Sequence, residues 1–370
     1  MWTDKQQDAL KAVDKWFYEY TNSRKSSKQV FYVAGYAGTG KTTLARHFAE
    51  NVDGETQFAA FTGKASLVMR KNGCVNARTI HSLIYKAEQD PKTGELTWHL
   101  NRQSSLNEVS LIIIDECSMV DEALAKDLLS FRKPVLVLGD PGQLPPVSGA
   151  GYFTEKEPDV MLTEIHRQAK DNPIIHLATM IRNEQMPKLG SYGESRIMNK
   201  MTTADLIDAD QVLVGRNATR ESFNAKIRKL KGLDPDTPVI GDKLICLQND
   251  RDLGIFNGGM FDVEEVLKPK IAKTNFLTMR LQSQDDERLP FLSRAHKSFF
   301  FEDVPTPHWK ELKGSQQFCW GYAITTHKSQ GSQWSSTFIM DESWCFREDR
   351  WKWAYTAVTR ASEKITLVVN

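Results

Sequence analysis

Residues 35–42 read Gly35-Tyr-Ala-Gly38-Thr-Gly40-Lys41-Thr42, after the apolar run Val30-Phe-Tyr-Val-Ala34 and before a helical pattern starting near Thr43. Strand, glycine-rich turn and helix in that order form the context that a phosphate-binding loop requires. The glycines let the backbone curl until several N–H groups converge on a phosphate, and the start of the helix adds positive potential. The expected nucleotide contacts are thus Gly38, Thr39, Gly40, Lys41, Thr42 and Thr43. Lys41 supplies a point charge to the β- and γ-phosphates, and the Thr42 hydroxyl ligates Mg²⁺. A chance glycine-rich turn is the alternative, and the flanks disfavour it.

The rhythm of that first unit continues. Short apolar strands at Val30–Ala34, Gln57–Phe61, Leu111–Ile114 and Val135–Leu138 alternate with amphipathic segments, the pattern of a parallel sheet covered by helices. Polar residues follow each strand, so nucleotide chemistry is expected at the carboxyl edge of the sheet. Lys86–Leu100 breaks the alternation with Pro91 and Gly94 between two extended arms, and reads as an inserted β-hairpin. Helical and strand patterns resume at Pro173–Asn183, Gln211–Val214 and Ala218–Lys229. Residues 243–313 carry several short strands, including the alternating Phe276–Leu281, which suit a small β-barrel insertion. The chain returns to α/β with strands at Gly321–Thr325 and Ser336–Met340, a helix at Trp351–Arg360 and a strand at Lys364–Val369.

At 370 residues the chain exceeds what one hydrophobic core usually supports, so two domains are expected. The first residues are charged rather than apolar and no later run reaches the length of a membrane span, so a cytoplasmic location is expected. The five cysteines are scattered with no Cys-x-x-Cys pair, against both a disulfide framework and a zinc site. A net charge of +1 offers no global attraction to nucleic acid, so any such binding needs a local surface.

Leu111-Ile-Ile-Ile-Asp115-Glu116 is an apolar strand ending in paired acids, the counterpart a phosphate loop needs. Asp115 would hold the water shell of Mg²⁺, and Glu116 would orient and deprotonate the attacking water, which signals hydrolysis. Capping of the following helix, Asp121–Ser130, is the other reading of this pair. Past the next strand, Gly139-Asp140-Pro-Gly-Gln143-Leu-Pro-Pro146 places the amide of Gln143 where a γ-phosphate would be sensed.

With these motifs together the chain resembles a superfamily 1 helicase of the RecD-like and Dda-like subclass, and the match runs nearly end to end. The resemblance implies two RecA-like domains, 1–165 with a hairpin at about 86–103 and 166–370 with a small β-barrel at about 268–316. It implies that Gln6, in Thr3-Asp-Lys-Gln6-Gln7, reads adenine. It assigns γ-phosphate contacts to Arg167 of Leu162-Thr-Glu-Ile-His-Arg167-Gln and to Arg360 of Tyr355-Thr-Ala-Val-Thr-Arg360-Ala. Arg360 would come from the second domain, and such arginines contribute on the order of 10³–10⁵ in rate.

For nucleic acid the resemblance implies contacts through Thr62 and Lys64 of Phe61-Thr62-Gly63-Lys64-Ala65, Thr79 and His81 of Arg78-Thr79-Ile80-His81-Ser82, and Thr326 and His327 of Thr325–Gly331. Gln330 and Gly331 of that last motif are assigned to the nucleotide. Gln333 stands where relatives often carry Glu, a ribose contact. Trp98, one of nine tryptophans, is the expected wedge or stacking residue of the hairpin, and Lys268, Lys270, Lys273 and Arg280 of the barrel are offered to DNA or to solvent.

The function that follows is an ATP- and Mg²⁺-dependent helicase moving 5′→3′ on single-stranded DNA and separating duplex or forked DNA, powered by hydrolysis at the cleft between its two domains. It would work as a monomer with replication or recombination proteins as further partners. An ATP-switched remodeller that binds single strands or strips proteins without unwinding is the second hypothesis. A GTPase is disfavoured because no Asn-Lys-x-Asp guanine reader occurs.

Overall fold

Strand Leu111–Asp115 is apolar at every position but the last, and all five of its residues are buried. A run of that kind fits only the interior of a sheet covered on both faces. The computed structural model describes residues 2–22, 28–89, 96–146, 151–164, 172–234, 237–250, 252–268, 274–301, 304–305, 307–308 and 310–369. Its strands, in chain order, are β1 (Val30–Gly35), β2 (Thr56–Ala60), β3 (Arg78–Thr79), β4 (Tyr85–Gln89), β5 (Leu96–Leu100), β6 (Leu111–Asp115), β7 (Val135–Gly139), β8 (Val160–Leu162), β9 (Gly190–Tyr192) and β10 (Ser195–Met198). There follow β11 (Gln211–Val214), β12 (Lys243–Cys246), β13 (Met260–Leu267), β14 (Phe276–Ser283), β15 (Phe291–His296), β16 (Phe318–Trp320), β17 (Ala323–Thr325), β18 (Trp334–Met340) and β19 (Ala361–Val368). The helices are α1 (Asp4–Asn22), α2 (Lys41–Glu50), α3 (Gly63–Lys71), α4 (Ile80–Ile84), α5 (Glu122–Leu129), α6 (Pro173–Arg182), α7 (Thr203–Ile207), α8 (Asn217–Leu230) and α9 (Arg350–Val358).

The chain divides into two compact units: Met1–Phe61 with Ala65–Met186 and Trp351–Thr359, and Thr62–Lys64 with Pro187–Arg350 and Arg360–Asn370. This differs from an even break at 165/166, because α6 and most of α9 cluster with the first unit. The first unit is a six-stranded sheet in the order β3-β2-β6-β7-β1-β8, parallel at every pairing. Successive residues of β6 point to opposite faces. Leu111 and Ile113 join a core with Val13 and Trp16 of α1 and Leu44 and Phe48 of α2. Ile112 and Ile114 join another with Ile80, Leu83, Leu124 and Leu128. The hairpin pairs β4 with β5 from Tyr85↔Leu100 to Gln89↔Leu96.

In the second unit a six-stranded sheet runs β17-β11-β18-β19-β10-β9, parallel except for the β9–β10 pair. A five-stranded sheet in the order β15-β14-β13-β12-β16 is antiparallel throughout. Its outer strand β15 is bridged to Gln316, just ahead of β16, by an Ala295↔Gln316 bridge, so the two edges curl toward each other. Leu244, Phe261, Val263, Leu281 and Phe318 fill its interior. The strands run from Lys243 to Trp320, so an insertion drawn at about 268–316 leaves out β12, β13 and β16.

Candidate nucleotide site and nucleic-acid residues

In the first sheet β6, β7 and β1 are neighbours, so the segments after their carboxyl ends, residues 115–116, 140–143 and 35–42, meet at one edge. The phosphate loop leaves β1 at Gly35 and enters α2 at Lys41, two residues earlier than the sequence pattern suggested. Gly40 has φ 79°, the left-handed region that glycine adopts without strain, and a Cβ there would lie 2.9 Å from Gln6 Nε2. Because Gly40 precedes α2 with no side-chain cap, the first-turn amides carry no side-chain acceptor of that kind.

Lys41 Nζ donates to the carbonyls of Gly35 at 2.6 Å and Tyr36 at 3.2 Å, folded over its own loop. Thr39 is fully buried and its hydroxyl donates to Tyr36 O at 2.8 Å. Thr42 Oγ1 donates to Asp115 Oδ2 at 2.6 Å. Thr43, expected among the nucleotide contacts, has its side chain exposed on the first turn of α2, where it is open to a ligand. Asp115 Oδ1 accepts the Glu116 amide at 2.8 Å, and Glu116 itself sits at φ 54°, ψ 47°. A non-glycine residue held there costs on the order of 1–3 kcal/mol, a strain concentrated at functional turns. The paired acids are not caps: α5 is capped by Asp121, whose carboxylate accepts Leu124 N at 2.8 Å.

Gln143 is nearly buried, and its Oε1 has no hydrogen-bond partner among the described residues. A buried acceptor left over in this way calls for a ligand or a moving partner. Gln6 is also buried; its Nε2 donates to Thr39 O and its Oε1 accepts Thr3 N, both at 3.0 Å. A carboxamide has two donors and two lone pairs, so one of each remains for a base. These residues fit a magnesium nucleotide: the loop supplies amides and an ammonium, and the Thr42 hydroxyl and Asp115 carboxylate form the all-oxygen donor set that Mg²⁺ prefers.

Tyr355 is the residue that motif reading missed. Fully buried on α9, it donates to Asp140 Oδ2 at 2.7 Å and accepts the amide of Ala37, inside the phosphate loop, at 2.9 Å. Burial, then the neighbouring Asp140 carboxylate, pushes its hydroxyl pKa far up, so it stays protonated. Asp140 Oδ1 also accepts Gly142 N at 2.9 Å, and Leu144 N donates to Thr356 Oγ1 at 2.9 Å. The signal was present as a tyrosine five residues ahead of Arg360, without any indication of its partner. Arg167 lies outside the described residues. Arg360, Gln330 and Gly331 belong to the second unit, where Arg360 is buried and donates to Ser332 O at 3.3 Å.

Several residues expected on the nucleic acid are placed otherwise. Lys64 is buried, ion-paired to Asp285 at 3.1 Å and set 4.9 Å over the Trp334 ring, so its charge is committed inside the protein. Thr326 is fully buried with its hydroxyl 3.4 Å from Val214 O, which removes that side chain from a strand contact. Thr79 caps α4 by accepting Ser82 N. Thr62 is half-buried ahead of α3, and His81 is exposed with Phe61 and Tyr85 rings beside it. Trp98 is 53% exposed on β5, the placement a stacking residue needs. His327 packs on Phe346 at 5.4 Å, and burial lowers its pKa, keeping the ring neutral. Arg280 is paired with Glu265 at 3.3 Å on an exposed face; Lys268 and Gln333 are exposed, and Lys270 and Lys273 lie outside the described residues.

Comparison with known proteins bears on the family and the fold. An AAA domain family model matches residues 20–203, and a UvrD-like helicase C-terminal domain model matches residues 321–368. The chain is 28% identical over 371 residues to the ATP-dependent RecD2 DNA helicase of Deinococcus radiodurans, covering 90% of this chain and 46% of that protein. To the ATP-dependent DNA helicase dda of Enterobacteria phage T4 it is 29% identical over 257 residues, 60% of this chain and 57% of the relative. To the ATP-dependent DNA helicase Pif1 of Bdellovibrio bacteriovorus it is 25% identical over 390 residues, 91% of this chain and 82% of that one. The chain thus spans about half the length of the first two. A Bacteroides Pif1 structure bound to single-stranded DNA shares the fold, with TM-score 0.59 at 20% identity over 99% of this chain and 92% of that one. With its two matched models, these relatives and the RecA-like parallel sheets, the chain belongs to the superfamily 1 helicases of the RecD, Pif1 and Dda type.

Proposed function

We propose that the chain is an ATP-dependent motor that moves 5′→3′ on single-stranded DNA and separates duplex at a fork. The observation that carries the reading is the Thr42 Oγ1 to Asp115 Oδ2 bond of 2.6 Å, with Glu116 as the next residue. It joins the phosphate loop to an acid pair arranged for hydrolysis. Binding alone would not need Glu116 beyond the metal carboxylate. In this reading Gln6 holds the base, while Lys41 and the amides at the start of α2 bind the β- and γ-phosphates. Thr42 and Asp115 would hold Mg²⁺, which when bound supplies charge neutralisation on the phosphates. Glu116 takes a proton from the attacking water, a contribution of about 10²–10⁴ in rate. Gln143 orients that water or the terminal phosphate through its free Oε1. Arg167 and Arg360 add positive charge as the terminal phosphoryl leaves.

The DNA substrate rests on the relatives, whose names describe ATP-dependent DNA helicases, and the direction of travel on the resemblance to the RecD-like subclass. Among the described residues no helix is long and apolar enough to cross a membrane. Forked duplexes carrying one tail at a time test the reading. Separation with a 5′ tail and none with a 3′ tail is expected. DNA-stimulated hydrolysis with no separation of either fork would replace it by a single-strand remodeller.

A further inference from the structure

In the second unit β17, β11 and β18 are adjacent and parallel, so the segments beyond their carboxyl ends form one edge. That edge carries Arg216 after β11, His327 after β17, and Trp344 and Phe346 after β18. These side chains form two contacting pairs, Arg216 with Trp344 and His327 with Phe346, and Phe346 lies against Gly215, the residue before Arg216. The Arg216 guanidinium lies 5.3 Å from the centre of the Trp344 ring. Phe346 comes within 3.0 Å of where a Cβ on Gly215 would stand, and His327 packs on its ring.

Trp344 is 60% exposed, an unusual place for the largest apolar side chain. Its surroundings are nonetheless rigid. Glu342 is buried, and its carboxylate accepts the amides of Gly215 at 2.8 Å and Arg216 at 3.0 Å, Arg216 Nε at 2.7 Å and Thr219 Oγ1 at 2.6 Å. Burial alone would raise the Glu342 pKa; the bonds from Thr219, Arg216 and the two amides outweigh it and hold the group ionised. The loop between is tied by Ser343 N to Asp341 Oδ1 at 2.9 Å and by Cys345 N to Glu342 O at 3.0 Å. Arg347, just beyond, is strained at φ 46°, ψ −109°. An exposed indole with a fixed guanidinium at its side is therefore pre-formed.

We propose that Trp344 is a base-stacking platform for single-stranded DNA, with the outer nitrogens of Arg216 facing the adjoining phosphate; the inference rests on the reading of the chain as a DNA motor. An aromatic face accepts every base alike, which a motor that ignores sequence requires. A protein partner fits less well. Trp344 is followed within four residues by the exposed charges of Arg347 and Glu348, which interrupt the apolar surface around it. Glu342 offsets much of the Arg216 charge, so stacking, rather than counterion release, carries this contact. This patch also gives the second unit an exposed contact where Thr326 is buried.

The test uses the full chain and oligothymidylates containing one 2-aminopurine, titrated at several salt concentrations with wild type, Trp344→Ala and Trp344→Phe. Because Trp344 is exposed, its truncation leaves the core intact. Loss of roughly tenfold in affinity is expected for Trp344→Ala, an intermediate loss for Trp344→Phe, and an unchanged slope of log affinity against log salt. Quenching of 2-aminopurine at one position should disappear in Trp344→Ala. Wild-type affinity with an unaltered quenching profile would overturn the platform while leaving the motor reading standing, and so would a loss accompanied by a changed salt slope. If wild type failed to bind the oligonucleotide at all, the motor reading and the platform would fall together.

Discussion

Replacing Tyr355 by Phe removes one oxygen atom and leaves the ring packed where it is. That oxygen joins three segments: it belongs to α9, donates to Asp140 Oδ2 and accepts the amide of Ala37. Asp140 is 2% exposed, so water cannot readily replace the lost donor. Hydrogen bonds to a charged group contribute about 1.5–3 kcal/mol, and an orphaned buried acceptor costs a similar amount. Asp140 keeps its bond from Gly142 N, and half-buried Ala37 can turn to solvent, so the expected destabilisation is about 2–3 kcal/mol. For a unit of this size that corresponds to a fall of about 5–10 °C in Tm. The same change frees the phosphate loop at Ala37, and ordering it again on binding should weaken ADP by up to about tenfold, or 1.4 kcal/mol. Thermal melts with and without ADP, together with titration of a fluorescent ADP, read both effects. A Tm within about 1 °C of wild type combined with unchanged ADP affinity would refute the claim that this hydroxyl holds the loop.

Glu116→Gln should bind ADP as wild type does yet lose about 10²–10⁴ in turnover, and retained turnover would remove Glu116 from its role as base. Trp98→Ala should reduce fork separation more than DNA-stimulated hydrolysis; equal losses in both would reject a wedge at the hairpin. Lys243 is nearly buried with Nζ 2.6 Å from Asp210 O, and burial, reinforced by Lys64, pulls its pKa from 10.5 to about 8. From about pH 8 upward the unfolded chain keeps a proton that the folded protein has released. Relative to Lys243→Met, wild type should thus gain about 2 kcal/mol between pH 8 and 9.5 in urea unfolding. A difference independent of pH would show that the amine stays charged.

The nucleotide site was legible because its chemistry is local in sequence. Gly35 to Thr42 sit in one turn, and Asp115 and Glu116 follow one strand, so apolar runs and their polar ends located both. The parallel sheets followed from the same runs. Contacts between distant segments were not legible. Nothing near Lys64 announces Asp285, more than two hundred residues on, yet that ion pair takes Lys64 out of reach of a nucleic acid. Thr326 reads as a strand contact from its motif, but burial beside Val214 occupies it. Tyr355 stands five residues ahead of Arg360 in the same motif, and only the fold brings Asp140 and Ala37 to its hydroxyl. Short strands such as β8 and β9, three residues each, carry too little periodicity to be detected. The strand pattern over 243–313 took in β12 and β13, whereas the narrower bounds of 268–316 implied by the resemblance left both out.

Steady-state ATP hydrolysis, measured with magnesium in the absence and presence of a single-stranded oligonucleotide, bears most directly on the central claim that nucleotide chemistry here is tied to a DNA strand. The account expects hydrolysis to rise severalfold on addition of the oligonucleotide and to vanish under both conditions in Lys41→Ala. Equal rates with and without the strand would contradict it.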